Sequence, residues 1–496
     1  MANVLFLNPN RWGRGITALW IPSHAAVLKS RGHDVRLFDA TFYKDWRHDE
    51  VAYNTANQQY KPSDYDRYIR LKEDVSRGLE ECIRSYDPDV IFWSGLSSFI
   101  HGEGEYVNIQ YGHQLVESCR HQGRALKIAG GLQPTADPDA MPRRFPRVDY
   151  FIRGESEFVL ADLVDRLHRH EEFISIRGLV WRTDSRTVVN PTQEILTDMD
   201  RIPPYDYSLF EDQVFFRPYQ GQVVRAVDYE LSRGCLYTCS YCVETVIQRY
   251  YGFKERTPRG ALRNPKGYLR HKSAERVFEE MRRLTREFGI TLFRCQDTNF
   301  LTIDRKTLLR LAELLEGSGL DVKLYIETRP DGINRESIAL LKRLKVDGVG
   351  MGVELASEEF RETHLNRFAD KDKIVEAFRL LREAGIKRTA YNIIGLPDED
   401  EAMLLQTIRF NRLIDPDNVT VAFYSPYLGT EQQTRGVRIR DFNDYEYNVD
   451  AQLRTLSRST RMSKETLEFY KRYFVRLVRE GLEKLEAFKR LEPAAV

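Results

Sequence analysis

Short apolar runs separated by amphipathic stretches recur through most of this 496-residue chain, and that alternation limits the folds open to it. In the first 200 residues, NVLFLN (3–8), HDVRLFDA (33–40), DVIFWSGLS (89–97), ALKIAGG (125–131) and VDYFIRGE (148–155) read as buried strands. Amphipathic stretches such as 18–31 and 106–122 lie between them. Strand–helix alternation of this kind gives a parallel, doubly wound sheet whose ligands bind at the strands' carboxyl ends. Those ends carry small residues here: Ser94, Gly95, Ser97 and Ser98 on one, Gly130 and Gly131 on another. Small residues let a large flat ligand approach the backbone, and they equally serve tight turns.

Prolines in DRIPPYDYSLF (200–210) break the pattern and place a linker at 201–222, after a Rossmann-like first domain over 1–200. A second series follows at 223–231, 290–296, 322–328, 347–353, 387–394 and 418–425. Six strand–helix units fit a partial (β/α)6 TIM-like barrel over 223–430, with reactive groups at the strands' C-terminal ends. The remainder, 431–496, is charged and helical in pattern, ending in RLVREGLEKLEAFKRLE. The expected fold class is therefore α/β, with a helical C-terminal region.

Composition narrows the function. A net charge of +1 argues against a protein that grips nucleic acid through a basic face. No apolar run approaches the ~20 residues that cross a bilayer. The start, MANVLFLNPN, lacks the basic and apolar regions of a secretory signal, so a cytoplasmic location is expected. Of six cysteines, three fall within LSRGCLYTCSYC (231–242), while Cys82, Cys119 and Cys295 are scattered; this is not a disulfide framework.

Cys235, Cys239 and Cys242 have the spacing C-x3-C-x2-C just after the first strand of the second domain. Such a loop wraps three thiolates around one face of a [4Fe–4S] cluster and leaves one iron open. Zinc is the rival, but structural zinc takes a closed set of four ligands, and the loop holds no histidine.

That spacing, the Arg233–Gly234 before it and Tyr241 before the last cysteine resemble the radical SAM superfamily. CQDTNFLT (295–302), ETRPDGIN (327–334), GVELASEEF (352–360) with LNR (365–367), NIIGLPDEDE (392–401) and SPYLGT (425–430) continue the resemblance. So does GGLQPTADPDAMPRRFPRVDYFIRGESEF (130–158) in the first domain, with its Gly-Glu-x-Glu turn, which is similar to the subgroup with an N-terminal cobalamin-binding-type domain. The resemblance covers about residues 1–430. It implies a [4Fe–4S] cluster that chelates S-adenosylmethionine (SAM) and cleaves it to a 5′-deoxyadenosyl radical, which abstracts hydrogen from a substrate. It also implies that Tyr241 lies near adenine above the turn of Gly395 and Pro397, that Glu354 meets the ribose and Arg367 the SAM carboxylate, and that Gln296, Asp297 and Asn299 lie by the amino group or substrate. A bracing salt bridge is the plain alternative for each charged residue.

Cobalamin is the implied third cofactor, bound at the first-domain strand ends. The chain lacks the Asp-x-His-x-x-Gly sequence that supplies a lower histidine ligand. Trp12, Trp20, Trp93, Phe99 and His101 stand near the expected cradle, to stack on the cofactor's edge or to fill its place. With cobalamin, methylation of an unactivated carbon is expected; without it, radical dehydration, epimerisation or rearrangement of a sugar-like molecule. Glu327, Arg329 and Tyr391 at barrel strand ends are the candidate catalytic residues for a small polar natural-product precursor. Lipid or tRNA modification, and an electron-transfer or scaffold protein that merely carries a cluster, are weaker readings. Residues 248–273 hold eight Lys or Arg against one Glu. They suit an acidic, flavodoxin-like electron donor, a phosphorylated or carrier-bound substrate, or no partner at all.

Overall fold

The computed structural model describes residues 1–11, 17–48, 50–95, 102–120, 123–184, 186–424, 427–432 and 460–491. Its first sheet comprises β1 (Asn3–Asn8), β2 (Asp34–Asp39), β3 (Val90–Trp93), β4 (Leu126–Ala129), β5 (Tyr150–Ile152), β6 (Leu179–Arg182) and β7 (Thr187–Val189). The spatial order is β2-β1-β3-β4-β5-β6-β7. The first five strands are parallel, and β6 and β7 add an antiparallel margin that the apolar pattern did not announce. Strand order reverses between β1 and β3, which opens a crevice at their carboxyl ends.

The period-two rule explains the apolar runs. Val4 and Phe6 of β1 join one core while Leu5 and Leu7 join the other, so both faces of the strand are buried. The two tryptophans in question obey it as well. Trp20 packs edge-on against Phe6 and Phe92 on one side of the sheet. Trp93 lies on the other side, its Nε1 donating to Ile109 O. Neither occupies the crevice; Trp12, Phe99 and His101 lie outside the described residues.

The second sheet starts inside the expected linker. β8 (Phe216–Tyr219) turns through Gln220 and Gly221, both at positive φ, into β9 (Gln222–Tyr229). A two-residue ribbon follows, β10 (Ser232–Arg233) with β11 (Arg270–His271). The barrel strands are then β12 (Leu292–Cys295), β13 (Lys323–Thr328), β14 (Val346–Glu354), β15 (Lys387–Ile394) and β16 (Asn418–Phe423). The order is β16-β15-β14-β13-β12-β9-β8, parallel except for β8. The segment read as a linker is thus a packed structure that buries Tyr205, Tyr207 and Phe215.

β16 and β8 leave a seam between them, and residues 54–72 of the first domain fill it. Gln59 Oε1 accepts from Val421 N on β16 at 3.0 Å. Tyr68 lies 4.7 Å from Phe216 on β8, and Lys61 Nζ donates to Gln220 at 3.0 Å. Helix Lys464–Glu480, capped by Ser463, covers β16 from outside through Leu467, Tyr470 and Phe474. Among the described residues no helix is long and apolar enough to cross a membrane.

Candidate functional site

The cysteine loop leaves the carboxyl end of β9 and is pinned at both ends. Asp297 Oδ1 accepts from Leu231 N at 3.1 Å and from Ser232 N at 2.6 Å. Gly234 sits at φ +96°, where a Cβ would stand 2.4 Å from Tyr268 O, so only glycine fits. Thr238 N donates to Gly260 O, Ser240 N to Leu365 O, and Gln248 Nε2 to the carbonyls of Cys235 and Tyr237. Cys235 and Cys239 are buried and Cys242 is half-buried.

Cations face the middle thiol. Arg329 Nη1 is 3.9 Å and Arg367 Nη1 4.0 Å from Cys239 Sγ. Burial, with Glu244 nearby, pushes the Cys235 thiol up to about 12, and burial, with Cys239 nearby, also raises the Cys242 thiol. Among the described residues no three His, Cys, Asp or Glu side chains converge tightly enough to hold a single metal ion. The donors offered are thiols, beside two guanidinium groups, and the Nε of Arg367 is buried without a partner among the described residues. That set fits an anionic iron–sulfur cluster.

The residues assigned to SAM gather beside this loop. Tyr241 Oη donates to Glu354 Oε1 at 3.0 Å. Arg367 Nη2 donates to Gly352 O at 2.6 Å and lies 3.5 Å from Glu354 Oε1. Gly352 makes room: a Cβ there would come within 2.8 Å of Arg367 Nη2. Gly395, at φ +80°, and Leu396 donate to Glu399 Oε2 ahead of Pro397. Burial pushes the Glu399 carboxyl up to about 8.

Gln296, Asp297 and Asn299 are engaged in the framework. Gln296 Nε2 donates to Asp228 Oδ1 at 2.6 Å, and the same Asp228 pairs with Arg217 at 2.7 Å and accepts from Thr17 N at 2.9 Å. Asp297 holds the loop as described; burial pushes its carboxyl up to about 7. Asn299 Oδ1 accepts from Thr328 Oγ1 and Arg329 N.

The catalytic trio separates. Tyr391 Oη donates to Glu327 Oε1 at 3.1 Å and lies 2.8 Å from Tyr325 Oη, with Arg294 3.9 Å from Glu327. Gly350 of β14 permits this, since a Cβ would stand 2.6 Å from Tyr391 Oη. Arg329 belongs instead to the cluster side. It stacks 3.7 Å over Tyr237, pairs with Asp331 at 2.9 Å and donates to Phe368 O.

In the first domain, Ser94 at φ +58°, Gly95, Gly130 and Gly131 line the crevice end of β3 and β4; Ser97 lies outside the described residues. A Cβ on Gly130 would stand 3.2 Å from Ser94 O, and one on Gly95 3.0 Å from His24. Ser94 Oγ, Asn8 Oδ1 and Asp39 Oδ2 are buried without a hydrogen-bond partner among the described residues, at the ends of β3, β1 and β2. Orphaned polar atoms beside glycines at a switch point fit a large polar cofactor. His24 is not free to ligate it: its ring nitrogens meet Trp20 O at 2.6 Å and Ser156 Oγ at 2.7 Å, and burial pushes it down to about 4.

Sequence reasoning missed the anchor between the domains. Arg233 meets Glu157 at 2.6 Å, Glu230 at 2.8 Å and Glu155 at 3.5 Å, all buried, and Arg270 pairs with Glu155 at 2.8 Å. The Gly-Glu-x-Glu turn was visible in the sequence, but nothing there named its partner.

Residues 229–410 match the family model for the radical SAM superfamily. An uncharacterised methyltransferase of Pyrococcus horikoshii is 25% identical over 361 residues, 73% of this chain and 72% of the relative. The anaerobic magnesium-protoporphyrin IX monomethyl ester cyclase of Cereibacter sphaeroides is 27% identical over 74% of this chain and 57% of its own length. The structure of the radical SAM methyltransferase TsrM from Kitasatospora setae, with cobalamin and a [4Fe–4S] cluster bound, is similar in fold. Its TM-score is 0.64 at 18% identity, over 88% of this chain and 76% of that one.

Proposed function

This chain is a radical SAM enzyme built on a cobalamin-binding-type domain and a partial barrel, and from that premise we propose that it methylates an unactivated carbon of a small polar molecule. A [4Fe–4S] cluster, SAM and cobalamin supply, when bound, a carbon-centred radical and a transferable methyl group. Cys235, Cys239 and Cys242 would hold the cluster; Arg329 and Arg367 stabilise their negative charge. Tyr241, Glu354 and Arg367 offer SAM a phenol, a carboxylate and a guanidinium in one place. Ser94, Gly95, Gly130 and Gly131 line the crevice for cobalamin. Glu327, Tyr391 and Tyr325 in the barrel bind and orient a hydroxyl- or amine-bearing substrate, and the filled seam excludes water.

The observation that carries this reading is the meeting of Arg329 and Arg367 on Cys239, in the loop that leaves the carboxyl end of the barrel strand β9. A second reading, radical dehydration, epimerisation or rearrangement without cobalamin, is favoured by the Glu327–Tyr391 pair, an acid–base device that methylation does not need. The test is an anaerobic absorption spectrum with iron and cobalt quantified on protein expressed with cobalamin. About four irons with stoichiometric cobalt supports methylation. The same iron with no cobalt, even after reconstitution, selects the second reading, and loss of all iron would refute both.

A further inference from the structure

We propose that the outer face of residues 252–267 is the docking surface for an acidic, low-potential electron-donor protein; this rests on the cluster assigned above. The basic run at 248–273 divides in two. Arg249 donates to Gly429 O, Arg256 pairs with Glu431, Arg270 with Glu155 and Lys272 with Glu280. These four brace the fold. The other four, Lys254, Arg259, Arg263 and Lys266, are exposed, and none forms an ion pair with a described residue.

Their position gives them meaning. The flap that carries them pairs directly with the cysteine loop: Thr238 N donates to Gly260 O at 2.9 Å and Leu262 N to Leu236 O at 2.8 Å. Gly260, at φ +63°, is pressed against Asn366, where a Cβ would stand 2.7 Å from Asn366 O. Asn366 in turn donates to Thr238 O at 2.8 Å. The flap is therefore the outer layer over the thiols, tied to them by backbone hydrogen bonds, and a protein seated on it has a short path to the cluster. Glu255 is the flap's one acid, and Glu359 and Glu362 stand on the helix Glu358–Thr363, which leads into Leu365 and Asn366 beside the cysteine loop. A basic face with an acidic flank both attracts and orients an acidic partner. The step transfers one electron and no proton: an anionic flavin hydroquinone on the partner becomes the neutral semiquinone, and the cluster goes from the 2+ to the 1+ state.

The test compares two reductants on the full-length, cluster-loaded enzyme: an acidic flavodoxin in its hydroquinone form, and photoreduced deazariboflavin, which is small and uncharged. In the variant carrying Lys254→Glu, Arg259→Glu, Arg263→Glu and Lys266→Glu, reduction by flavodoxin is expected to slow by about tenfold or more at low salt. Reduction by deazariboflavin stays unchanged. Added salt slows the unmodified enzyme towards the variant, since charges farther apart than a Debye length of about 8 Å are screened. Single Lys→Gln and Arg→Gln changes give graded losses. An unchanged flavodoxin rate overturns the proposal, as does equal slowing with both reductants. An unmodified protein that binds no cluster overturns the functional reading itself.

Discussion

Arg233 Nη2 donates to Glu157 Oε1 at 2.6 Å, and this buried pair joins the strand before the cysteine loop to the turn after β5 in the other domain. Glu155 of that turn also holds Arg270 on β11, so both strands of the small ribbon beside the loop are fastened to the first domain. The loop's shape therefore depends on the domain in front of it.

Arg233→Met removes the cation from among Glu155, Glu157 and Glu230. Buried carboxylates left uncompensated cost about 3–5 kcal/mol, so the denaturation midpoint should fall sharply. Glu157→Gln should cost less, because Arg233 keeps Glu230. A midpoint unchanged in Arg233→Met would show that the network is not a stabilising anchor.

Arg329→Met should leave three cysteines in place but withdraw one guanidinium from Cys239. Removing positive charge beside a thiolate disfavours the reduced cluster, so its potential should drop by about 60 mV, a tenfold factor for a one-electron couple. A redox titration followed by electron paramagnetic resonance reads this. An unchanged or higher potential would show that Arg329 does not act on the cluster.

Tyr391→Phe removes the hydroxyl shared by Glu327 and Tyr325. Loss of a hydrogen bond to a charged group is worth about 1.5–3 kcal/mol, so KM should rise by about tenfold or more, with SAM cleavage retained. A fall in turnover of about 10²-fold or more at constant KM would instead favour the acid–base reading. Gly350→Ala should mimic the loss by pushing Tyr391 aside, at a cost of about 1–3 kcal/mol from overpacking.

Glu399 gives the protein a pH signature. Its folded carboxyl is raised from 4.5 to about 8 by burial, so its contribution to stability is complete below 4.5 and is lost as pH rises through about 8. Chemical denaturation at about pH 6 and about pH 9 should show the native chain weakening at the higher value. In Glu399→Gln the amide oxygen still accepts from Gly395 and Leu396, and that part of the slope should vanish. An equally steep decline in both proteins would assign it to other groups.

Periodicity made the parallel strands legible, because a strand buried on both faces must read as an unbroken apolar run. β1 was expected at 3–8 and β15 at 387–394, and both fall there. β6 to β8 escaped, because short antiparallel strands with half-buried faces carry little apolar signal. The cysteine loop was readable because chemistry restricts its spacing. The split of Arg329 from Glu327 was not, although both lie at one strand end: which cation a buried thiol attracts is decided by neighbouring strands. Trp20 and Trp93 show the same limit, since residues near a crevice in sequence can point into the core on either side of it.

The residues around Gln59 and Tyr68 have a consequence for modularity. A barrel that borrows part of its wall from more than 350 positions upstream, as the Gln59–Val421 contact shows, is not an exchangeable cassette. Cut away at about residue 200, it would present the bare edge of β16 to any passing strand. Swapping its first domain for another of the same topology would succeed only where the donor brings a matching patch. The two halves must be inherited, engineered and purified as one piece.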